Sequence, residues 1–171
     1  MKRIFVASTL LLYSGIYAQA DDAFGGRGDS KVQIGANFQR WGTGIQVSVD
    51  RGLGESFSVG LQGGYTLGFK EIRPGAKPKT DQRFDLKVRA NAHLGDVIGL
   101  PQNIDVYPGL DLGLKNFGAH AGMRYFFGRG IGVFAETQVP IARYNKTPND
   151  YQYLHNQYNV TLGAVFDISS F

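Results

Sequence analysis

Apolar and polar residues alternate along most of this chain, and helical spacing is almost absent. Residues 31–39 set Val32, Ile34, Ala36 and Phe38 against Lys31, Gln33, Gly35, Asn37 and Gln39, and 44–50 repeat the pattern with Ile45, Val47 and Val49. The longest clean case is 57–69, where Phe57, Val59, Leu61, Tyr65, Leu67 and Phe69 share one face. Further alternating runs lie at 83–94, 104–114, 117–126, 131–144 and 158–168. A period of two marks strands whose two faces meet different surroundings. Glycine-led turns (Arg51-Gly52-Leu53-Gly54, Gly128-Arg129-Gly130) and longer proline-bearing stretches at 70–82 and 145–156 separate the runs. Eight such strands predict an all-β antiparallel meander, closed or sandwiched. Pro108 and Pro140 fall inside strands, where each removes a ladder donor and requires a bulge or a local edge.

Alternation alone does not say which face is inside. A water-soluble barrel turns its apolar face inward, whereas an outer-membrane barrel turns it toward lipid. The polar face here is rich in glycine (35, 60, 64, 68, 109, 113, 118, 122 and 163). That suits a crowded lumen better than a solvated strand surface, because exposed glycine weakens strands. Aromatic residues of the apolar face cluster at strand ends. Phe38, Phe69, Phe84, Phe117 and Tyr158 fall at one level, and Phe57, Tyr125, Phe127 and Phe166 near the other. Two such girdles match the two interfaces of a bilayer. The reading is an eight-stranded antiparallel up-and-down transmembrane β-barrel with both termini periplasmic.

Composition adds an address. Lys2 and Arg3, an apolar stretch at 4–16 and Ala18-Gln19-Ala20 form a secretory signal peptide at residues 1–20, with cleavage expected before Asp21. The barrel domain is then 21–171. The formal charge of +4 owes two of its positive groups to that signal. A nucleic-acid partner is therefore not expected. The chain has no Cys, which excludes disulfides and thiolate metal sites. No catalytic, cofactor or metal site is expected.

The last strand, Thr161-Leu162-Gly163-Ala164-Val165-Phe166-Asp167-Ile168, resembles the C-terminal signal of outer-membrane barrels, with Gly163, Phe166 and Ile168 in its key positions. The whole chain resembles the small barrels of the OmpX and OmpA-transmembrane-domain type. It is more closely similar to an uncharacterised bacterial outer-membrane barrel family, on the strings Gly35-Ala36-Asn37-Phe38-Gln39, Asp105-Val106-Tyr107-Pro108-Gly109-Leu110, Asn116-Phe117-Gly118, Arg124-Tyr125-Phe126-Phe127 and Leu154-His155-Asn156-Gln157. The resemblance implies fold and outer-membrane location, and recognition by the barrel-assembly machinery during biogenesis. It brings no activity.

An eight-stranded barrel is just wide enough for its own side chains. The inward face carries Lys31, Arg83, Lys87, Arg89, His93, His120 and Arg124 with Asp50, Asp85, Asp105, Asp111, Glu136 and Asp167. Buried charges must be paired, which predicts a lumenal ion-pair network centred on Glu136, Arg89 and Arg124 and including Lys87, Asp85 and Asp111. Lys70, Arg73, Lys77 and Lys79 form a basic outward loop that could contact lipopolysaccharide, and Trp41, Tyr144, Tyr151 and Tyr153 lie near the rim. Arg27-Gly28-Asp29 spells an adhesion tripeptide, more simply a chance occurrence. Ser48 and Ser58 point inward with no His at a fixed spacing. The leading function is a non-catalytic structural barrel, an envelope scaffold or docking component of a larger envelope complex, surrounded by outer-membrane lipid and lipopolysaccharide. A narrow channel or small-ligand barrel is the alternative, and a lipid-modifying enzyme the third.

Overall fold

The computed structural model describes residues 22–71, 77–144, 151 and 154–169. The signal segment, the cleavage point before Asp21, Arg73 and Tyr153 lie outside the described residues. The strands are β1 (Ser30–Gln39), β2 (Gly42–Gly52), β3 (Phe57–Phe69), β4 (Phe84–Ala92), β5 (Ile104–Gly113), β6 (Asn116–Gly128), β7 (Ile131–Arg143) and β8 (Asn159–Asp167). One helical turn, α1 (Thr80–Arg83), precedes β4. Every strand pairs antiparallel with the next, and β1 pairs with β8, from Lys31↔Asp167 to Gln39↔Asn159. The result is a closed eight-stranded up-and-down barrel. Closure gives every strand a partner on both sides.

The polarity is inverted relative to a water-soluble protein. Leu61, Val88 and Leu162 point outward and are each more than half exposed, while Gln33, Gln62, Arg89 and Thr161 are buried. Glycines on the inward face make room for large neighbours. A Cβ on Gly122 would enter the Tyr107 ring, and one on Gly109 would meet His120. The two-residue β6–β7 connection has Arg129 at φ 57° and Gly130 at φ 70°. Two positive φ values in succession match the twist of a tight hairpin.

Both prolines are accommodated locally. The β6–β7 register shifts between Phe117↔Ala142 and Gly118↔Pro140, which leaves Ile141 as the extra residue of a bulge. The β4–β5 ladder stops at Asn91↔Gly109, beside Pro108, and resumes as Leu94 N–H donating to Val106 O.

Two caps close the ends. At the near end, where β1 begins and β8 ends, residues 22–29 fold across the opening. Ala23 packs against Phe126, Phe134 and Val165, and its N–H donates to Gln102 O. At the far end, residues 154–156 dip inward: His155 N–H donates to Gln39 Oε1, and Asn116 Nδ2 donates to His155 O and Asn156 Oδ1. One inward assignment is corrected. Arg83 closes α1, so the alternation of β4 starts only at Phe84. Its guanidinium donates to Thr66 O and Leu67 O and lies over the Tyr65 and Phe69 rings at the far rim, not in the lumen.

Candidate functional site in the barrel lumen

The densest chemistry lies inside the barrel. Arg89 on β4 donates to Glu136 on β7 at 2.6 Å through Nη2 and at 3.4 Å through Nη1, a two-pronged pairing across the lumen. Arg124 on β6 pairs with Asp50 on β2 at 2.9 Å rather than with Glu136. Asp50 also stands 3.4 Å from Arg89 Nε. Asp50, an inward residue outside the expected network, therefore bridges the two arginines. Arg124 leaves its Nε and Nη1 without acceptors, and its guanidinium lies 4.1 Å over the Tyr107 ring. The ring face supplies the attraction that oxygen does not.

The remaining network residues occupy other levels. Lys87 donates to Gln138 Oε1 at 3.2 Å, and Gln138 Nε2 passes the connection to Glu136 at 2.8 Å. Asp111 stands 3.0 Å from His120 Nδ1, while His120 Nε2 faces Asn91 Oδ1 at 2.7 Å. Asp85 is buried with neither oxygen hydrogen-bonded; Lys87 and Lys115 supply its nearest positive field. Amide and hydroxyl side chains extend the network: Asn37 donates to Thr161 and Asn159, and Gln46 donates to Glu136.

The near end holds an arrangement that spacing in the sequence does not reveal. Ser58 Oγ lies 2.8 Å from His93 Nε2, and His93 Nδ1 lies 2.6 Å from Asp105 Oδ2. This is the connectivity of an activated serine. Register creates it: Ser58 pairs with Asn91, so His93 follows two residues later on the same face. The three side chains are packed tightly. The Phe24 ring stacks on the imidazole with centroids 3.5 Å apart, and Asn91 Nδ2 already donates to Ser58 Oγ at 2.9 Å. The adjoining space lined by Phe24, His93 and Asp105 is about 10 Å³. That is room for about one water.

The loop and rim residues divide. Lys70, Lys77 and Lys79 are exposed at the far end. Tyr144 is exposed, but Tyr151 is buried and meets the Phe69 ring edge-on at 5.7 Å. Trp41 is half-buried, under Arg40. In β8, Gly163 packs against Gly35, Phe166 pairs with Val32 and Ile131, and Ile168 N–H donates to Ser30 O. Arg27-Gly28-Asp29 is part of the near-end cap, where buried Asp29 accepts from Lys31 at 3.0 Å and from Ser169.

A closed barrel with an apolar exterior and a filled polar interior defines the outer-membrane type of β-barrel. The chain belongs to a family of unknown function (DUF6646), whose model matches residues 14–168. No curated protein matches it. Among solved structures it is similar to the N-terminal β-barrel domain of OprF from Pseudomonas aeruginosa, with a TM-score of 0.53 and 12% identity over 84% of this chain and 99% of that one. It is also similar to a chain from the de novo design of transmembrane β-barrels, with a TM-score of 0.53 and 10% identity over 83% and 97%. At these identities the likeness speaks for the fold.

Proposed function

We propose that this protein is an integral outer-membrane barrel, with its termini at the periplasmic side, that serves as a non-catalytic structural element: an envelope scaffold or docking component of a larger complex. The observation that carries the reading is the filled interior. Arg89, Glu136, Asp50, Arg124 and Tyr107 span the middle of the lumen, and the cap at 22–29 covers the near opening. Ions crossing such a barrel would have to break buried pairs, each costing several kcal/mol. Its partners on this reading are outer-membrane lipid and lipopolysaccharide, the barrel-assembly machinery during biogenesis, and an envelope protein that affinity purification after gentle detergent extraction would recover.

The test is a planar bilayer holding the purified full chain. We expect no discrete conductance steps, and no covalent labelling of Ser58 by a fluorophosphonate under the same conditions. Stepwise conductance would favour the narrow channel, and labelling would favour a lipid-modifying enzyme.

A further inference from the structure

Where β7 and β8 part company at the far rim, the outer wall of the barrel is indented. β7 pairs with β8 only as far as Gln138↔Asn159, yet it continues to Arg143. The strands separate, and a groove of about 700 Å³ opens on the outside of the wall. Its lining includes Phe38, Tyr158 and Val160, outward-facing residues continuous with the apolar band, and Phe38 is directly opposite Val160 across the β1–β8 seam. Two arginines share that lining, Arg40 from the β1–β2 turn and Arg143 from the end of β7, and both are exposed. Among the described residues neither is paired with a carboxylate; Arg40 lies 5.1 Å over the Trp41 ring. The back of the groove is held by Gln39, which accepts from His155 N–H and from Gln157 Nε2.

This combination has a specific chemical complement. Two guanidinium groups lining one groove give it a positive field that suits an anion. Each offers a planar fork that matches phosphate oxygens. An apolar floor at the level of the aromatic girdle accepts hydrocarbon. We propose that the groove binds an outer-leaflet lipid with a phosphorylated headgroup, its phosphate held by Arg40 and Arg143 and an acyl chain laid along Phe38, Tyr158 and Val160. The inference rests on the outer-membrane reading and names the lipid contact of that reading. It moves that contact from the lysines of the β3–β4 loop, which are exposed, to a built groove on the opposite flank.

The full chain in detergent should retain bis-phosphorylated lipid A in native mass spectrometry. R40A/R143A should weaken that binding at least about tenfold, the scale of losing charge-assisted hydrogen bonds. R40K/R143K should fall in between, because an ammonium is a point charge without the fork. K70A/K77A/K79A should bind like the wild type. Lipid A stripped of phosphate should bind as weakly as the arginine variant, and inorganic phosphate at millimolar concentration should not displace the lipid. Equal retention by R40A/R143A, equal binding of dephosphorylated lipid A, or displacement by free phosphate would overturn the proposal. So would loss of binding in the lysine variant alone. Unchanged heat-modifiable gel mobility shows that each variant is folded. Membrane fractionation separates the two readings: a wild type found outside the outer membrane sinks the location, whereas a correctly located protein indifferent to R40A/R143A sinks only the groove.

Discussion

At the scale of single residues, Asp50 and Glu136 are the acids on which the middle of the lumen depends. Each is buried and each faces an arginine that burial has stripped of water. Removing one partner of such a pair leaves an uncompensated charge, at a cost of about 3–5 kcal/mol. E136A and D50A should therefore both lower the temperature at which the barrel loses its compact gel mobility, whereas R89M/E136M should be milder than either single change. A D50A variant as stable as the wild type would remove Asp50 from the bridge. That these residues point inward is legible from parity alone. Which acid meets which base is not, because the pairing depends on strand stagger: Arg124 could reach Glu136 in one register and reaches Asp50 in this one. The same stagger hid Ser58–His93–Asp105. His155 makes a second residue-scale case. Burial chiefly, and repulsion from Lys115 and Lys87, hold its imidazole well below the usual range, at about 4, against the opposing hydrogen bond to Arg83 O. A depressed histidine leaves the native state short of a proton that the unfolded chain takes up below its ordinary value. Its contribution is thus complete above about pH 6.5 and is lost as the pH falls toward 4, on the order of 3 kcal/mol. Thermal unfolding measured from pH 7 to pH 4 should show this fall, and H155Q should flatten that part of the curve.

At the scale of elements, alternation marked all eight strands, and their ends moved by only a few residues. The end-point differences have local causes. β4 starts at Phe84 because α1 takes up Thr80–Arg83, and β6 runs on to Gly128 because the tight turn begins there. The near-end cap carried no pattern: residues 22–29 have no period, and their role comes from where β1 begins relative to β5 and β6. Glycine content was the more informative signal, since the structure gives individual glycines steric reasons. Gly122 lies under the Tyr107 ring, whereas Gly63 faces open space. Adding a methyl group to a filled site forces side chains off their rotamers at about 1–3 kcal/mol. G122A should accordingly refold poorly into detergent, with G63A close to the wild type. Comparable behaviour of the two variants would mean that Tyr107 has slack the geometry does not show.

At the scale of the whole molecule, the decisive property is that exposure and polarity are uncoupled. Val88, midway along β4, and Leu53, in the β2–β3 turn, are 54% and 53% exposed, so in water the two positions are equivalent. In a bilayer they are not, because Val88 lies near the midplane and Leu53 beyond the interface. A lysine on the lipid face costs about 2–4 kcal/mol at the midplane and about 0–1 kcal/mol near the interfaces. V88K should therefore lose stability in lipid vesicles by several-fold more than L53K, as read by denaturant unfolding from the folded, membrane-inserted state. Equal and small effects would mean that the outer face meets water, and the inverted pattern would then need another explanation. Equal and large effects would mean that Leu53 packs against something the barrel alone does not contain. Exposure and introduced charge are matched at the two positions, so depth is the dominant difference between them.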